Sequence, residues 1–391
     1  LRDTFPPRVL ETRMVGKMPT PGAPPEWSRT REELGKTLTL RAHYDALTGY
    51  GQLACGLLQE LLRRQTPCQG LEMRPSGKPW EPAQWGDAAR LPADVSGLLT
   101  RENGEGWELL LGSPHHGATV SPSVILSMWE SNRLPPGTID NLNKFQAIIV
   151  PSEWNQLAWD AAGVTRPIYR VGLPVSDCFF ANDPLPTKGP FTFGLACRRA
   201  HGGLRKGVKE ALECFLEAVG TRRDVRFRLK IYPDCTQADL PVDPRIEVTA
   251  AAYTEAQLVD WYRSLHVYVS TSHAEGFGLC QAQALAMGRP VIGVMGHAQA
   301  EYLRHDTCIP VDYDLTRAET ANPENGYYSG YVWVPRRDSV VDAIRFCLDH
   351  PAAVQAIGAK GAGLAKQQFR WGRFVSRMLD VLNAEGLPVS V

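Results

Sequence analysis

A chain of 391 residues is longer than one typical hydrophobic core supports, so two domains are expected. Its 42 basic and 42 acidic residues cancel, which leaves no global field to draw in a polyanion such as DNA or an anionic membrane, although a local basic groove stays open. With 43% hydrophobic and 21% charged residues the composition is that of a globular protein, and no stretch approaches the roughly 20 apolar residues of a membrane helix.

In chain order, residues 1–36 are rich in proline and charge without a clear period, as in TPGAPPEWSRTREEL, and read as an arm over the surface. TLTLRAHY, residues 37–44, reads as a strand, Thr48-Gly49-Tyr50-Gly51 as a turn, and LACGLLQELLRR, residues 53–64, as a helix with apolar positions at helical spacing. A strand, a glycine turn and a helix make the first half-unit of a doubly wound sheet. Residues 75–103, with proline, glycine and tryptophan, read as an insertion. Residues 107–111 and 147–150 read as buried strands, while residues 124–129 fit a helix or a strand equally.

A second alternating series follows Gly172-Leu173-Pro174. Residues 191–197 predict a strand, and 208–219 a helix with Val208, Ala211, Leu212, Phe215, Leu216 and Val219 on one face. VRFRLKI, residues 225–231, alternates strictly. Helix 255–263 and strand 266–270 come next, and the closing segment RWGRFVSRMLDVLN has helical periodicity. Strands alternating with helices, twice over, imply two Rossmann-like α/β domains facing each other. The nine cysteines are scattered, odd in number and never spaced as CxxC, which argues for reduced thiols in a cytosol and against structural zinc.

The most informative segment is TSHAEGFGLCQAQALAMGRPVIGV, residues 271–294. A loop runs through Glu275 and Gly276-Phe277-Gly278 into an apolar helix that Gly288 closes before a strand. Glycines let an anion approach the backbone, and a helix N-terminus carries unpaired N–H groups and partial positive charge, so a phosphate is favoured at Gly276 to Leu279. Glu275 beside it can accept hydrogen bonds from sugar hydroxyls.

This segment resembles the donor-site signature of retaining GT-B nucleotide-sugar glycosyltransferases of the family-4-like group. Glu275, Gly276, Phe277, Gly278 and Leu279 match the pattern; Cys280 stands where proline is usual, and Gln283 where a second glutamate holds the nucleotide ribose. Gln283 can still hydrogen-bond there, without charge assistance. The resemblance runs from about Gly49 to Leu382. Gly49-Tyr50-Gly51 is similar to the family's first strand-to-helix loop near the donor phosphates, with a plain tight turn as the alternative. Trp129-Glu130-Ser131 with Leu134-Pro135, and then AIIVPSEW, are similar to the stretch from the cleft wall to the last strand of the first domain. There Ser152-Glu153 would lie beside the cleft, with Ser152 as a helix N-cap the alternative.

Lys206-Gly207 resembles the family's Lys-Gly pair, which neutralises the diphosphate together with an upstream arginine; Arg198 is favoured over Arg199 for that role. His115-His116 follows a strand end that feeds the cleft, where a histidine would touch the donor sugar or position the acceptor; a simple loop histidine is the alternative. No third ligand at metal-like spacing accompanies the pair. Asp45 fits an acceptor contact or, better, a turn former, and His273 reads as a loop residue.

The resemblance implies a GT-B α/β architecture of two Rossmann-like domains across a cleft. Residues 1–36 would be an arm, 37–174 the acceptor-side domain, 175–369 the nucleotide-sugar-binding domain, and 370–391 a helix crossing back to the first. The implied activity is transfer of a sugar from a nucleotide-diphosphate sugar to an acceptor hydroxyl, with retention, no cofactor and no metal, by front-face attack in which the leaving phosphate helps remove the acceptor proton. The acceptor is open among a saccharide, a lipid-linked sugar, a metabolite, a protein hydroxyl and a hydroxymethylated DNA base. A sugar-nucleotide-binding module without catalysis, marked by Gln283, is the competing class. A cytoplasmic location is expected, since no apolar run follows a basic start.

Overall fold

The computed structural model describes residues 37–44, 48–73, 99–100, 106–118, 122–180, 183–197, 201–321 and 329–387. Among them, seven strands form the first sheet: β1 Thr37–Ala42, β2 Cys68–Glu72, β3 Leu99–Thr100, β4 Gly106–Leu111, β5 Ser123–Leu126, β6 Ala147–Val150 and β7 Ile168–Arg170, in the order β3-β2-β1-β4-β5-β6-β7. A second sheet holds β8 Phe191–Ala196, β9 Val225–Ile231, β10 Ile246–Ala250, β11 Val267–Val269, β12 Val291–Gly293 and β13 Cys308–Pro310, in the order β10-β9-β8-β11-β12-β13. Neighbouring strands in both sheets are parallel. Each order reverses at one point, beside β1 and beside β8, and there the carboxyl ends of the strands open a crevice. The two crevices face each other across one cleft.

Central strands of a parallel sheet are covered on both faces, which is why β5 and β6 read as unbroken apolar runs and are buried throughout. Of residues 124–129, the first three belong to strand β5 and 127–129 leave it as a loop. β9 alternates instead: Phe227 and Leu229 enter the core, while Arg226 and Arg228 turn outward toward Glu247, at 3.9 and 2.8 Å. The helix of the first expected βα pair starts earlier than its apolar period suggests. Thr48 caps helix Gly49–Arg63 by accepting from the Gly51 N–H at 3.0 Å, so Gly49-Tyr50-Gly51 is a first helical turn and not a free turn. Strands β2, β7 and β10 carry no clear period in the sequence, and only the pairing at β3 falls within the expected insertion; the rest of 75–103 lies almost wholly outside the described residues.

Among the described residues, contacts at several places join the halves. Helix Trp371–Ala384 lies on helix Gly49–Arg63, where Arg64 donates to Gly372 O at 3.0 Å and Ser376 Oγ at 3.2 Å. The Glu153 N–H donates to Glu301 Oε1 at 2.7 Å. An antiparallel hairpin, β14 Tyr313–Arg317 with β15 Tyr331–Pro335, reaches the first half through the Tyr331 N–H and Asn132 Oδ1, 2.8 Å apart. Among the described residues no helix is long and apolar enough to cross a membrane.

Candidate active site

The loop after β11 is fastened to the loop before helix Val208–Val219. Thr271 Oγ1 donates to Gly207 O at 2.7 Å, the His273 N–H donates to Arg205 O at 2.8 Å, and Ser272 Oγ donates to the same carbonyl at 3.2 Å. Gly207 has φ +58°, and a Cβ there would stand 2.4 Å from the Thr271 carbonyl oxygen, so only glycine lets the two loops meet. That contact brings Arg205 and Lys206 to Glu275. Lys206 Nζ donates to Glu275 Oε1, and Arg205 Nη1 lies 3.7 Å from Oε2. Arg205 is also 3.9 Å from Glu130, which comes from the first half.

Glu275 is 8% exposed. Burial pushes its carboxyl up, but the charges of Lys206 and Arg205, with hydrogen bonds from Lys206 and Ser272, outweigh burial and hold it at about 2. It is therefore an anion throughout the working pH range. Next to it, Gly278 sits at φ +86° and opens helix Leu279–Ala286 with no side-chain cap, which leaves first-turn N–H groups for an anion. Gly276 packs against Met128, where a Cβ would come within 2.7 Å of Cγ. The Tyr302 hydroxyl, donating to Phe277 O at 2.6 Å, and Gln281, donating to Ser270 Oγ at 2.7 Å, fix the turn from beneath.

These groups line a cavity of about 740 Å³ between the two halves. Gly49, Tyr50, Met128 and Glu130 form one wall; Lys206, Glu275, Gly276, Phe277, Gly278, Leu279 and Gln283 form the other. Gly51 is buried in its helix, outside this lining. Tyr50 is anchored by its hydroxyl, which accepts from the Met128 N–H at 3.2 Å, and burial raises its pKa. The Tyr262 hydroxyl donates to Cys280 O at 2.8 Å and lies 3.2 Å from the Gln283 amide, which it holds beside the cavity.

Arg198, Arg199 and Asp45 lie outside the described residues. His115 is exposed and outside the cavity lining, its ring edge-on to Trp129 at 5.5 Å between centroids. His116 is half-buried, with Nδ1 3.1 Å from Ser113 O, and burial lowers its pKa. Ser152 is the N-cap of helix Glu153–Ala162, accepting from the Asn155 N–H at 3.2 Å, while Glu153 is exposed at the seam between the halves. His273 is buried in its loop. The cavity also gathers Glu130, from the stretch that the sequence likened to the cleft wall, and residues not singled out from the sequence: Arg205, Lys230 and Trp371. Arg205 alone carried a usable signal, as the neighbour of Lys206 in one basic loop.

Residues 195–321 match the family model described as glycosyl transferases group 1. Among solved structures, the chain resembles a sucrose-phosphate synthase from Thermosynechococcus elongatus, with 14% identity, a TM-score of 0.60, and coverage of 89% of this chain and 98% of that one. A glycosyltransferase from Rickettsia africae ESF-5 superposes with a TM-score of 0.61 at 11% identity, covering 89% and 98%. A mutant of S. aureus TarM, solved in complex with fondaparinux, alpha-GlcNAc-glycerol and UDP, gives 0.53 at 15% identity over 71% of this chain. The chain spans 55% of the length of that TarM protein. No curated protein matches the chain in sequence. At these identities the structural likeness is one of fold, and it is the fold that two facing parallel sheets with a returning final helix describe. The chain thus has the GT-B fold and carries, over residues 195–321, a glycosyltransferase domain of group 1.

Proposed function

We propose that this chain transfers a sugar from a nucleotide-diphosphate sugar to an acceptor hydroxyl, with retention of configuration and without a metal ion. The observation that carries the reading is the grouping of Glu275, Lys206 and Arg205 at the uncapped N-terminus of helix Leu279–Ala286, inside the cleft. As the bond to the sugar breaks, the departing nucleoside diphosphate gains charge. Two cations and the free N–H groups, fixed before the donor arrives, stabilise that charge with little reorganisation. Glu275, kept anionic, accepts from the sugar hydroxyls and orients the ring. The UDP present in the TarM complex supports a nucleoside diphosphate as the leaving group.

With a phosphate in place, Lys206 is shared between Glu275 and the phosphate. The ion pair with Glu275 holds the Lys206 ammonium at the helix terminus, where the phosphate would bind. Front-face attack needs no further base from the protein, because the leaving phosphate oxygen accepts the acceptor proton.

The test is turnover of UDP-, GDP- and ADP-sugars by wild type and Lys206→Ala. Loss of one preorganised cation should lower turnover about 100-fold or more, and wild-type activity should persist in EDTA. A near-normal rate for the variant removes Lys206 from the reaction; activity lost in EDTA and restored by manganese removes the metal-free mechanism.

A further inference from the structure

Lys230 is a buried cation that the phosphate chemistry does not use. It lies at the carboxyl end of β9, is 4% exposed, and lines the same cavity as Glu275. Its Nζ stands 3.7 Å from the centre of the Tyr232 ring and 5.4 Å from that of Tyr253, and among the described residues no carboxylate pairs with it. Ring faces attract a cation but accept no strong hydrogen bond, so three N–H donors remain. Because Lys230 lines the cavity, those donors are available to an occupant. Burial pushes the ammonium down to about 8, against the opposing effect of the thiols of Cys280, Cys197 and Cys235, so it stays protonated at neutral pH.

The sheet register says which part of an occupant it meets. Lys230 pairs across the ladder with Ala196 of β8, and Gly194 of β8 pairs with Tyr268 of β11, which places Lys230 level with Ser270 two strands away. Two strand spacings are about 10 Å. Ser270 leads into the Glu275 loop, whereas Tyr232 and Tyr253 hold the Lys230 ammonium on the far side, toward β10. Lys230 is thus offset from the Glu275 loop toward β10, on the side to which the nucleoside of a donor held by its diphosphate at Lys206 would extend.

We propose that Lys230 reads the base of the bound nucleotide, donating to a ring carbonyl oxygen, and thereby selects a keto base, uracil or guanine, over adenine. This inference rests on the nucleotide-sugar reading. A donor-only ammonium matches the keto oxygen of uracil or guanine and opposes the exocyclic amino group of adenine. Discrimination by such a donor is strong, because a bound base of the wrong kind shuts it off from water and leaves it unpaired.

Calorimetric titration of the full chain with UDP, GDP, ADP and inorganic pyrophosphate tests it, with wild type, Lys230→Met and Lys230→Arg. Wild type should bind UDP or GDP at least 10-fold more tightly than ADP. Lys230→Met should weaken the preferred nucleotide about 10-fold or more and erase the preference while leaving pyrophosphate unchanged; Lys230→Arg, which keeps a donor, should retain the preference. Melting temperatures establish that each variant is folded, and an unfolded Lys230→Met leaves the decision to Lys230→Arg and the wild-type ranking. A preference for ADP, a preference that survives in Lys230→Met, or an equal loss for pyrophosphate overturns the assignment. Wild type that binds pyrophosphate but none of the nucleotides overturns the nucleotide-sugar reading itself.

Discussion

Glu275 shows how one side chain can serve both stability and chemistry. Its carboxyl is held at about 2 against an ordinary 4.5, so the ion pair stabilises the fold fully above about 4.5 and loses that contribution as pH falls toward 2. The gap corresponds to at most about 3 kcal/mol, and partial exposure of the two cations reduces it to about 2 kcal/mol. Glu275→Gln should therefore melt at lower temperature than wild type at pH 7, and the difference should narrow as the pH is lowered from 5 to 3. A difference constant over that range would mean that the carboxylate is not the stabilising form. Glu275 was legible in the sequence because the chemistry of its segment is local: glycines, an acid and a helix start within five residues. Lys230 was not. In VRFRLKI it occupies the polar row with Arg226 and Arg228, and those two do face outward to Glu247. Only the end of the sheet, where the outer face of β9 becomes the cleft, turns the third member of the row inward, and that is a property of strand order.

At the scale of elements, the site depends on two loops touching, and Gly207 sets how closely they can. A side chain at φ +58° costs of order 1–3 kcal/mol, and the Thr271 carbonyl, 2.4 Å from the added Cβ, is backbone that cannot swing away. Gly207→Ala should lose stability by more than that strain alone and lower turnover about 10-fold or more as Lys206 is drawn off Glu275. Gly163→Ala is the control: φ is +93°, the space is open, and the helix it ends presents no group to the cavity, so stability should fall while turnover holds. Equal effects of the two substitutions on turnover would refute the contact argument. Elements were readable where burial imposes a period. Helices Val208–Val219 and Glu255–Arg263 match their apolar spacing, whereas β10 is an edge strand of mixed exposure with no period to read. The start of helix Gly49–Arg63 was hidden for a different reason: glycines are poor helix formers, yet this first turn lines the cavity and benefits from small residues.

For the whole molecule, the question is what couples the two sheets around the cleft, and the returning helix Trp371–Ala384 gives a test. Trp371 lies over Gly56 in the middle of helix Gly49–Arg63, where a Cβ would stand 2.2 Å from the indole, and Trp371 itself lines the cavity. Arg370 holds Asp177 at 2.7 Å and the Val175 N–H donates to Phe369 O at 2.8 Å just before the tryptophan, and Arg64 donates to Gly372 O at 3.0 Å just after it, so the crossing point is tied at both sides. Two effects of Gly56→Leu oppose each other. Helix propensity alone would stabilise by about 1 kcal/mol. Overpacking against a rigid ring costs typically 1–3 kcal/mol, and because the ring is pinned by its neighbours the clash should win. Calorimetry of Gly56→Leu should then show a lower melting temperature and a split transition as the first sheet uncouples from the second. The KM for the donor should rise, since the displaced indole leaves the cavity wall. A variant that melts in one step at or above the wild-type temperature with an unchanged KM would show that propensity wins, and that the returning helix does not hold the cleft together.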